Sequence, residues 1–71
     1  MRPTLRQLEY IVATADTGRI SLAAAQLNVS QPSLSAQIAE VEADLGVTLF
    51  IRGRAGAKLT PAGEEVARRA R

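Results

Sequence analysis

The chain has 71 residues, the length of one small domain, and a domain of this size buries only about 60% of the surface of its unfolded chain. It contains no cysteine and no histidine, which excludes disulfides, a zinc site built on those side chains and catalysis by a Ser-His or Cys-His pair. Nine basic and seven acidic side chains give a net charge of only +2. No apolar run approaches the roughly 20 residues of a membrane span, and the N-terminus lacks a signal-peptide core. We therefore expect a soluble, cytoplasmic domain with no cofactor and no membrane partner.

Basic residues lie toward the two ends of the chain. Residues 18–45 carry one arginine and three acidic residues. The other basic residues are Arg2, Arg6, Arg52, Arg54, Lys58, Arg68, Arg69 and Arg71. The small net charge is a weak argument for a nucleic-acid partner, but this distribution predicts positive potential beside the middle segment.

A first helix is predicted from its cap and its apolar spacing. Thr4-Leu5-Arg6-Gln7 fits a capping box, in which the threonine and glutamine side chains each bond the other residue's backbone N–H. The helix is expected to end before Gly18. Its predicted apolar stripe consists of Leu5, Leu8, Ile11, Val12 and Ala15.

A second and a third helix follow across a short turn. Ser21 is predicted to cap a helix over residues 22–27, and Asn28 tolerates the left-handed conformation that a tight turn needs. Ser30 is predicted to cap the third helix by accepting the backbone N–H of Ser33.

The third helix has a clear apolar period and a polar first turn. Pro32 is predicted at its second position, where the missing N–H has no partner within the helix in any case. Its buried face is predicted at spacings of four, three and four: Leu34, Ile38, Val41 and Leu45. Gly46 is predicted as a left-handed C-cap. Two such helices joined by a short turn form a helix-turn-helix pattern, so residues 29–35 are predicted to open a recognition helix that contacts DNA.

A β-hairpin with a basic tip is predicted next. Residues 47–52 (VTLFIR) are rich in β-branched and aromatic side chains, Gly53-Arg54-Ala55-Gly56 has the composition of a turn, and residues 57–59 are predicted as the returning strand.

A fourth helix is predicted after the hairpin. Thr60 is its expected cap and Pro61 its first residue. Its apolar stripe of Ala62, Val66 and Ala70 is thin, and without a stop signal we expect the helix to continue beyond this chain.

The order of these elements predicts a mainly α fold, a winged helix-turn-helix with a three-helix core, a hairpin wing and the start of a linker helix. The expected DNA-binding domain covers residues 1–60, with the helix-turn-helix at about 20–39 and the wing at about 49–60. Residues 61–71 are expected to be the start of this last helix.

Motifs along nearly the whole chain resemble those of one family. They are Leu5-Arg6-Gln7-Leu8, Ala23-Ala24, Leu27, Val29-Ser30-Gln31-Pro32-Ser33-Leu34-Ser35, Gln37-Ile38, Glu42, Leu45-Gly46, Leu49-Phe50, Arg52, Leu59-Thr60 and Ala62-Gly63. With this spacing, the chain resembles the N-terminal winged helix-turn-helix domain of LysR-type transcriptional regulators.

The resemblance implies a bacterial regulator that binds two-fold related half-sites on double-stranded DNA as a homodimer or tetramer. It implies a third helix in the major groove and a wing in the adjacent minor groove. It also implies a linker helix, beginning within residues 61–71, through which subunits pair. Further implied are a C-terminal domain for a small-molecule or redox effector and a surface that can contact RNA polymerase. Carried over by position, the DNA-contacting residues would be Ser30, Gln31, Pro32, Ser33, Ser35 and Ala36 in the third helix, Arg52 and Arg54 in the wing, and Ser21 on the DNA backbone.

The chain departs from the family pattern where members often carry basic or long polar side chains. These positions hold Leu22, Ala36, Ala39 and Glu40. No arginine on this face of the third helix can then bind guanine O6 and N7. We expect base recognition to use Gln31 with adenine, the serines, and apolar contact of Pro32 or Ala36 with a thymine methyl. A wing arginine is expected to sense a narrow A·T-rich minor groove.

A winged-helix module that binds protein, with weak or lost DNA affinity, is the alternative, because the third helix is acidic and rich in alanine. Retention on heparin or on random duplex at low salt distinguishes the two. An enzyme is not expected, since the carboxylates are scattered over helix surfaces and no pair is placed for acid-base catalysis.

Overall fold

The computed structural model describes residues 3–54 and 56–71. Arg2, in the basic N-terminus, and Ala55, in the predicted turn of the hairpin, lie outside the described residues. The described elements are α1 (Leu5–Thr17), α2 (Ile20–Leu27), α3 (Gln31–Leu45), β1 (Phe50–Gly53), β2 (Gly56–Leu59) and α4 (Pro61–Ala70). The two strands pair antiparallel, with Phe50 opposite Leu59. The predicted mainly α, winged helix-turn-helix fold is confirmed.

The capping box at the start of α1 is also confirmed. The N–H of Gln7 donates to Thr4 Oγ1 at 3.1 Å, and the N–H of Thr4 donates to Gln7 Oε1 at 2.9 Å. Gln7 is buried, and its Nε2 donates to Gln37 Oε1 of α3 at 3.1 Å. The cap therefore also joins α1 to α3.

The apolar stripe predicted for α1 is wrong at its first position. Leu5 is 73% exposed. The buried residues of this helix are Gln7, Tyr10, Ile11, Ala13 and Thr14. Two of them are polar, and both are hydrogen-bonded: the Thr14 hydroxyl donates to the Tyr10 carbonyl at 2.8 Å. The spacing of apolar residues cannot predict which polar side chains are buried with their hydrogen bonds made.

The predicted serine cap of α2 is wrong as well. The N-cap residue is Arg19, with extended φ and ψ of −144° and 134°, and no side chain caps the helix. Gly18, at φ 73°, turns the chain so sharply after α1 that Ser21 already lies inside the first turn of α2. At the other end, Asn28 has the predicted left-handed conformation, at φ 60°.

In α3, the cap and most of the apolar period are confirmed. The N–H of Ser33 donates to Ser30 Oγ at 3.1 Å, and Pro32 is the second helical residue. The buried residues are Leu34, Ile38 and Val41. Leu45 was predicted to join them but is 37% exposed, because it lies in the last turn, next to the left-handed Gly46 at φ 69°.

The hydrophobic core fixes α3 against the wing. Its largest fully buried apolar side chains are Ile11, Leu34, Ile38, Leu49 and Val41. They come from α1, from α3 and from the residue before β1, so the hairpin is attached to the three-helix core.

Strand β1 begins three residues later than predicted. Glu42 Oε2 accepts the N–H groups of Leu49 at 2.7 Å and Phe50 at 3.3 Å, and the Leu49 carbonyl accepts the N–H of Thr60 at 2.9 Å. The first residue of β1 is Phe50, opposite Leu59, and residues 47–49 precede the strand.

Replacing Glu42 with alanine is expected to lower the free energy of unfolding by about 1.5 kcal/mol, since a charged acceptor of two backbone N–H groups is lost. Glu40→Ala, at an exposed position of the same helix, is the matched control and should stay within about 0.5 kcal/mol of the parent. Urea denaturation measures both. Equal stabilities for the two variants would show that the Glu42 contacts contribute nothing.

The cap of α4 is confirmed and its predicted buried face is not. Thr60 Oγ1 accepts the N–H of Gly63 at 3.0 Å. The buried residues of α4 are Gly63 and Ala67, whereas Ala62, Val66 and Ala70 are partly exposed. The helix turns its smallest residue inward because Gly63 packs directly on the Leu49 carbonyl.

Three arginines in or next to α4 pair with carboxylates. Arg68 and Arg69 contact Glu65, and Arg71 Nη2 lies 2.6 Å from Asp16 Oδ1 of α1. The hydrogen bond from Arg71 holds the pKa of Asp16 below its usual value. All three pairs are solvent-exposed, so each contributes little to stability, but their charges are partly neutralised within the chain.

Candidate nucleic-acid interface

The first turns of α3 present polar and small side chains to solvent. Exposed residues among those predicted to contact DNA are Ser30, Gln31, Pro32, Ser33 and Ala36, and Ser35 is half-buried. Leu34, within the same turns, is fully buried. The buried leucine orients the helix so that this polar surface faces outward.

The wing lies beside that surface. Arg52 and Arg54 are both exposed, and Arg52 Nη1 donates to Ser35 Oγ at 3.4 Å. Gln31 and Ser35 are four residues apart and therefore share one face of α3. The contact brings a wing arginine to the face of α3 that carries Gln31.

The returning strand of the wing, close to the hairpin turn, is hydrogen-bonded to the turn between α1 and α2. The N–H of Ala57 donates to the Gly18 carbonyl at 2.9 Å. Gly56 has a φ of +121°, and a Cβ at this position would lie 2.2 Å from the Gly18 oxygen. Only glycine permits this close backbone approach without displacement of the chain.

A surface cavity of about 250 Å³ lies where these elements meet. Its lining residues are Arg19, Ile20, Ser21, Gln31, Arg52, Gly53, Arg54, Gly56 and Ala57. The cavity brings together four predicted site residues, namely Ser21, Gln31, Arg52 and Arg54. Ser35 reaches them through Arg52, while Ser30, Pro32, Ser33 and Ala36 lie outside the cavity on the exposed start of α3.

Sequence reasoning missed Arg19 as a member of this site. Arg19 is the single arginine of residues 18–45. The other two arginines of the cavity, Arg52 and Arg54, are more than thirty positions away along the chain. The backbone hydrogen bond between Ala57 and Gly18 brings Arg19 close to the wing, and no local sequence pattern predicts that contact. An isolated basic residue in a charge-poor segment was the one available signal.

The cavity is electropositive. Three arginines line it and no acidic residue does, within the part of the chain that the structure describes. The ion pairs of residues 3–54 and 56–71 involve other arginines. In addition, the first N–H groups of α2 have no side-chain cap, and a helix N-terminus carries partial positive charge. The arrangement favours an anionic ligand.

Residues 3–54 and 56–71 contain no group of three or more histidine, cysteine, aspartate or glutamate side chains that could hold a metal ion. None of the helices in these ranges is both long and apolar enough to cross a membrane.

The capped α3, the exposed polar turn and the basic hairpin together define a winged helix-turn-helix domain. Comparison with known proteins agrees. A family model described as "Bacterial regulatory helix-turn-helix protein, lysR family" matches residues 5–64. The chain is 50% identical over 58 residues to the HTH-type transcriptional regulator ClcR of Pseudomonas putida, covering 82% of this chain and 20% of that protein.

The chain is also 46% identical over 67 residues to the small neutral protease regulatory protein of Streptomyces coelicolor, covering 94% of this chain and 21% of that protein. It therefore spans about a fifth of the length of these relatives. Among solved structures, the complex of the CbnR DNA-binding domain with DNA is similar, with a TM-score of 0.91, 43% identity, and coverage of 94% of this chain and 77% of that one. The chain belongs to the LysR family of bacterial regulatory helix-turn-helix proteins.

Proposed function

We propose that this chain is the sequence-specific, double-stranded-DNA-binding domain of a bacterial transcriptional regulator, with the start of α3 in the major groove and the wing in the adjacent minor groove. The observation that carries the proposal is the cavity in which Gln31 of α3 and the wing arginines Arg52 and Arg54 meet without an acidic neighbour. Membership of the LysR family and the likeness to the CbnR domain in its DNA complex support it.

We assign recognition of the bases mainly to α3 and electrostatic attraction to the DNA mainly to the wing. Residues at the start of α3 face the bases or nearby phosphates: Ser30, Gln31, Pro32, Ser33, Ser35 and Ala36. Arg52 and Arg54 of the wing enter the minor groove or bind phosphates, and Ser21 contacts the DNA backbone. Ser30 also caps α3, so its hydroxyl serves the fold first.

Most of the electrostatic attraction to DNA is assigned to the wing. Helix α3 contains no lysine or arginine and carries Glu40, Glu42 and Asp44. A recognition helix of this composition supplies selectivity through hydrogen bonds and apolar contacts, while positive charge beside it neutralises phosphates.

In this proposal the DNA-binding domain covers residues 1–60 and the linker helix begins within 61–71. Two copies bind two-fold related half-sites, whose centres are about one helical turn apart or a multiple of it. The domain acts by binding in the bacterial cytoplasm and catalyses no reaction, in keeping with relatives that are named as transcriptional regulators.

Salt titration tests this function. With the 71-residue chain on random duplex, the logarithm of the binding constant should fall linearly with the logarithm of salt concentration, by about 0.9 per phosphate neutralised. Absence of binding to any duplex at low salt, by a chain that circular dichroism shows to be folded, would refute the proposal. That result would instead favour the protein-interaction module.

Gln31→Ala is expected to relax base preference at one position in each half-site and to cost about 1 to 3 kcal/mol on the preferred sequence, because an amide that pairs with adenine N6 and N7 is removed. Affinity for random duplex should change little. Binding to a set of duplexes that differ at single positions measures the effect. An equal loss on every sequence would contradict base reading by this residue.

A further inference from the structure

Arg19 is the third arginine of the electropositive cavity, beside the wing residues Arg52 and Arg54. It is exposed, and its side chain does not cap α2 although it is the N-cap residue. None of the ion pairs in residues 3–54 and 56–71 involves it. An exposed arginine is most often simply solvated, and Arg19 differs from that common case in the place where the fold holds it.

The backbone holds Arg19 against the wing. Gly18, the preceding residue, has a left-handed φ of +73°, and its carbonyl accepts the N–H of Ala57 at 2.9 Å. The Arg19 side chain passes the same strand, since its Cγ would lie 3.4 Å from a Cβ placed on Gly56. The backbone of Arg19 is therefore held beside the start of β2, close to the turn of the hairpin.

Charge accumulates in the cavity from three separate parts of the chain. Arg19 comes from the turn before α2, Arg52 from β1 and Arg54 from the turn that follows it. A cleft lined by charges of one sign concentrates counter-ions. The uncapped N–H groups at the start of α2 add partial positive charge on the same side. The anion that belongs here is one that all three arginines can approach.

The position of the cavity identifies that anion. Gln31, on the helix assigned to the major groove, lines one side, and the wing assigned to the minor groove lines the other. What separates the two grooves of a duplex is a phosphodiester strand. We propose that Arg19 binds a backbone phosphate of DNA in this cavity, at the boundary between the groove that α3 contacts and the groove that the wing contacts.

The proposal rests on the proposed function and deepens it, because it names a further contact of the same interface. It also accounts for a peculiarity of the charge distribution. Residues 18–45 contain a single basic side chain, and the fold places that side chain in the cavity. Arg19 thus supplies next to α3 a positive charge that α3 itself lacks.

The first test compares two arginine variants on a duplex recovered by selection from a random pool. Arg19→Ala is expected to weaken binding roughly tenfold at low salt and to reduce the salt slope by about 0.9 for each bound subunit. Arg69→Ala removes the same charge from a residue that contacts Glu65 outside the cavity, and should leave the slope nearly unchanged. Equal slopes for Arg19→Ala and the parent chain would overturn the proposal.

The second test locates the phosphate. Single backbone phosphates of the selected duplex are replaced one at a time by uncharged methylphosphonate, and each duplex is titrated with the parent chain and with Arg19→Ala. At one position in each half-site, the methylphosphonate should weaken DNA binding by the parent chain. The same replacement should not weaken binding by Arg19→Ala, which already lacks that contact. If the variant loses the same factor as the parent at every position, Arg19 acts only through the fold. If the parent chain binds no duplex, the proposed function fails, and the role of Arg19 fails with it.

Discussion

Replacing Arg52 and Arg54 together with alanine is expected to weaken duplex binding roughly 100-fold at low salt, because two charge-assisted contacts of about 1.5 kcal/mol each are lost. The salt slope should become shallower by up to about 1.8 per subunit. Both residues are exposed, so the free energy of unfolding should stay within about 0.5 kcal/mol of the parent. Fluorescence anisotropy over a salt series measures the affinity and the slope together.

Arg68→Ala with Arg69→Ala is the matched control for that double variant. It removes the same charge from residues that pair with Glu65 in α4. If the control loses as much affinity as the wing variant, the binding depends on net charge and not on the wing. Such a result would contradict the assignment of the wing to the DNA.

Gly63→Ala is expected to lower the free energy of unfolding by about 2 kcal/mol, although alanine is normally the better helix residue. The added Cβ would lie 2.1 Å from the Leu49 carbonyl oxygen and 2.8 Å from Leu59 Cδ2, and the backbone atom cannot move without shifting the start of the wing. For a domain with roughly 4 to 10 kcal/mol of stability, this lowers Tm by about 10 °C. Calorimetry measures the shift.

Gly53→Ala controls for the loss of glycine itself. A Cβ at Gly53 meets nothing within 4 Å, and its φ is outside the left-handed range, so Tm should change by no more than about 3 °C. A Gly63→Ala variant as stable as Gly53→Ala would show that α4 does not pack on Leu49 in solution.

Local signals explain which parts of the fold could be predicted from the sequence. Helix caps are set by residues three positions apart, so Thr4, Ser30 and Thr60 were identified correctly as caps. The predicted cap at Ser21 failed because the left-handed Gly18 shortens the connection to two residues. The predicted stripe of α1 is wrong at Leu5 and omits the buried polar residues Gln7 and Thr14, and the predicted stripe of α4 omits the buried Gly63.

Long-range hydrogen bonds explain most of the remaining differences. Where β1 begins, Glu42 accepts the backbone N–H groups of Leu49 and Phe50 across the fold, a contact that no local sequence pattern predicts. The cavity forms because the N–H of Ala57 donates a hydrogen bond to the carbonyl of Gly18, thirty-nine positions earlier in the chain. Sequence patterns therefore predicted Gln31, Arg52 and Arg54 as separate candidates, while their shared cavity and its third arginine, Arg19, required the structure.

Selection of bound sequences from a random duplex pool tests the central claim most directly, since it depends on DNA binding, half-site spacing and base preference together. We predict enrichment of sequences with two related half-sites whose centres are about 10 base pairs apart or a multiple of that distance. Gln31→Ala should lose the preference for adenine at one position of each half-site. No enrichment over the starting pool at low salt, with a chain shown to be folded, would contradict the account.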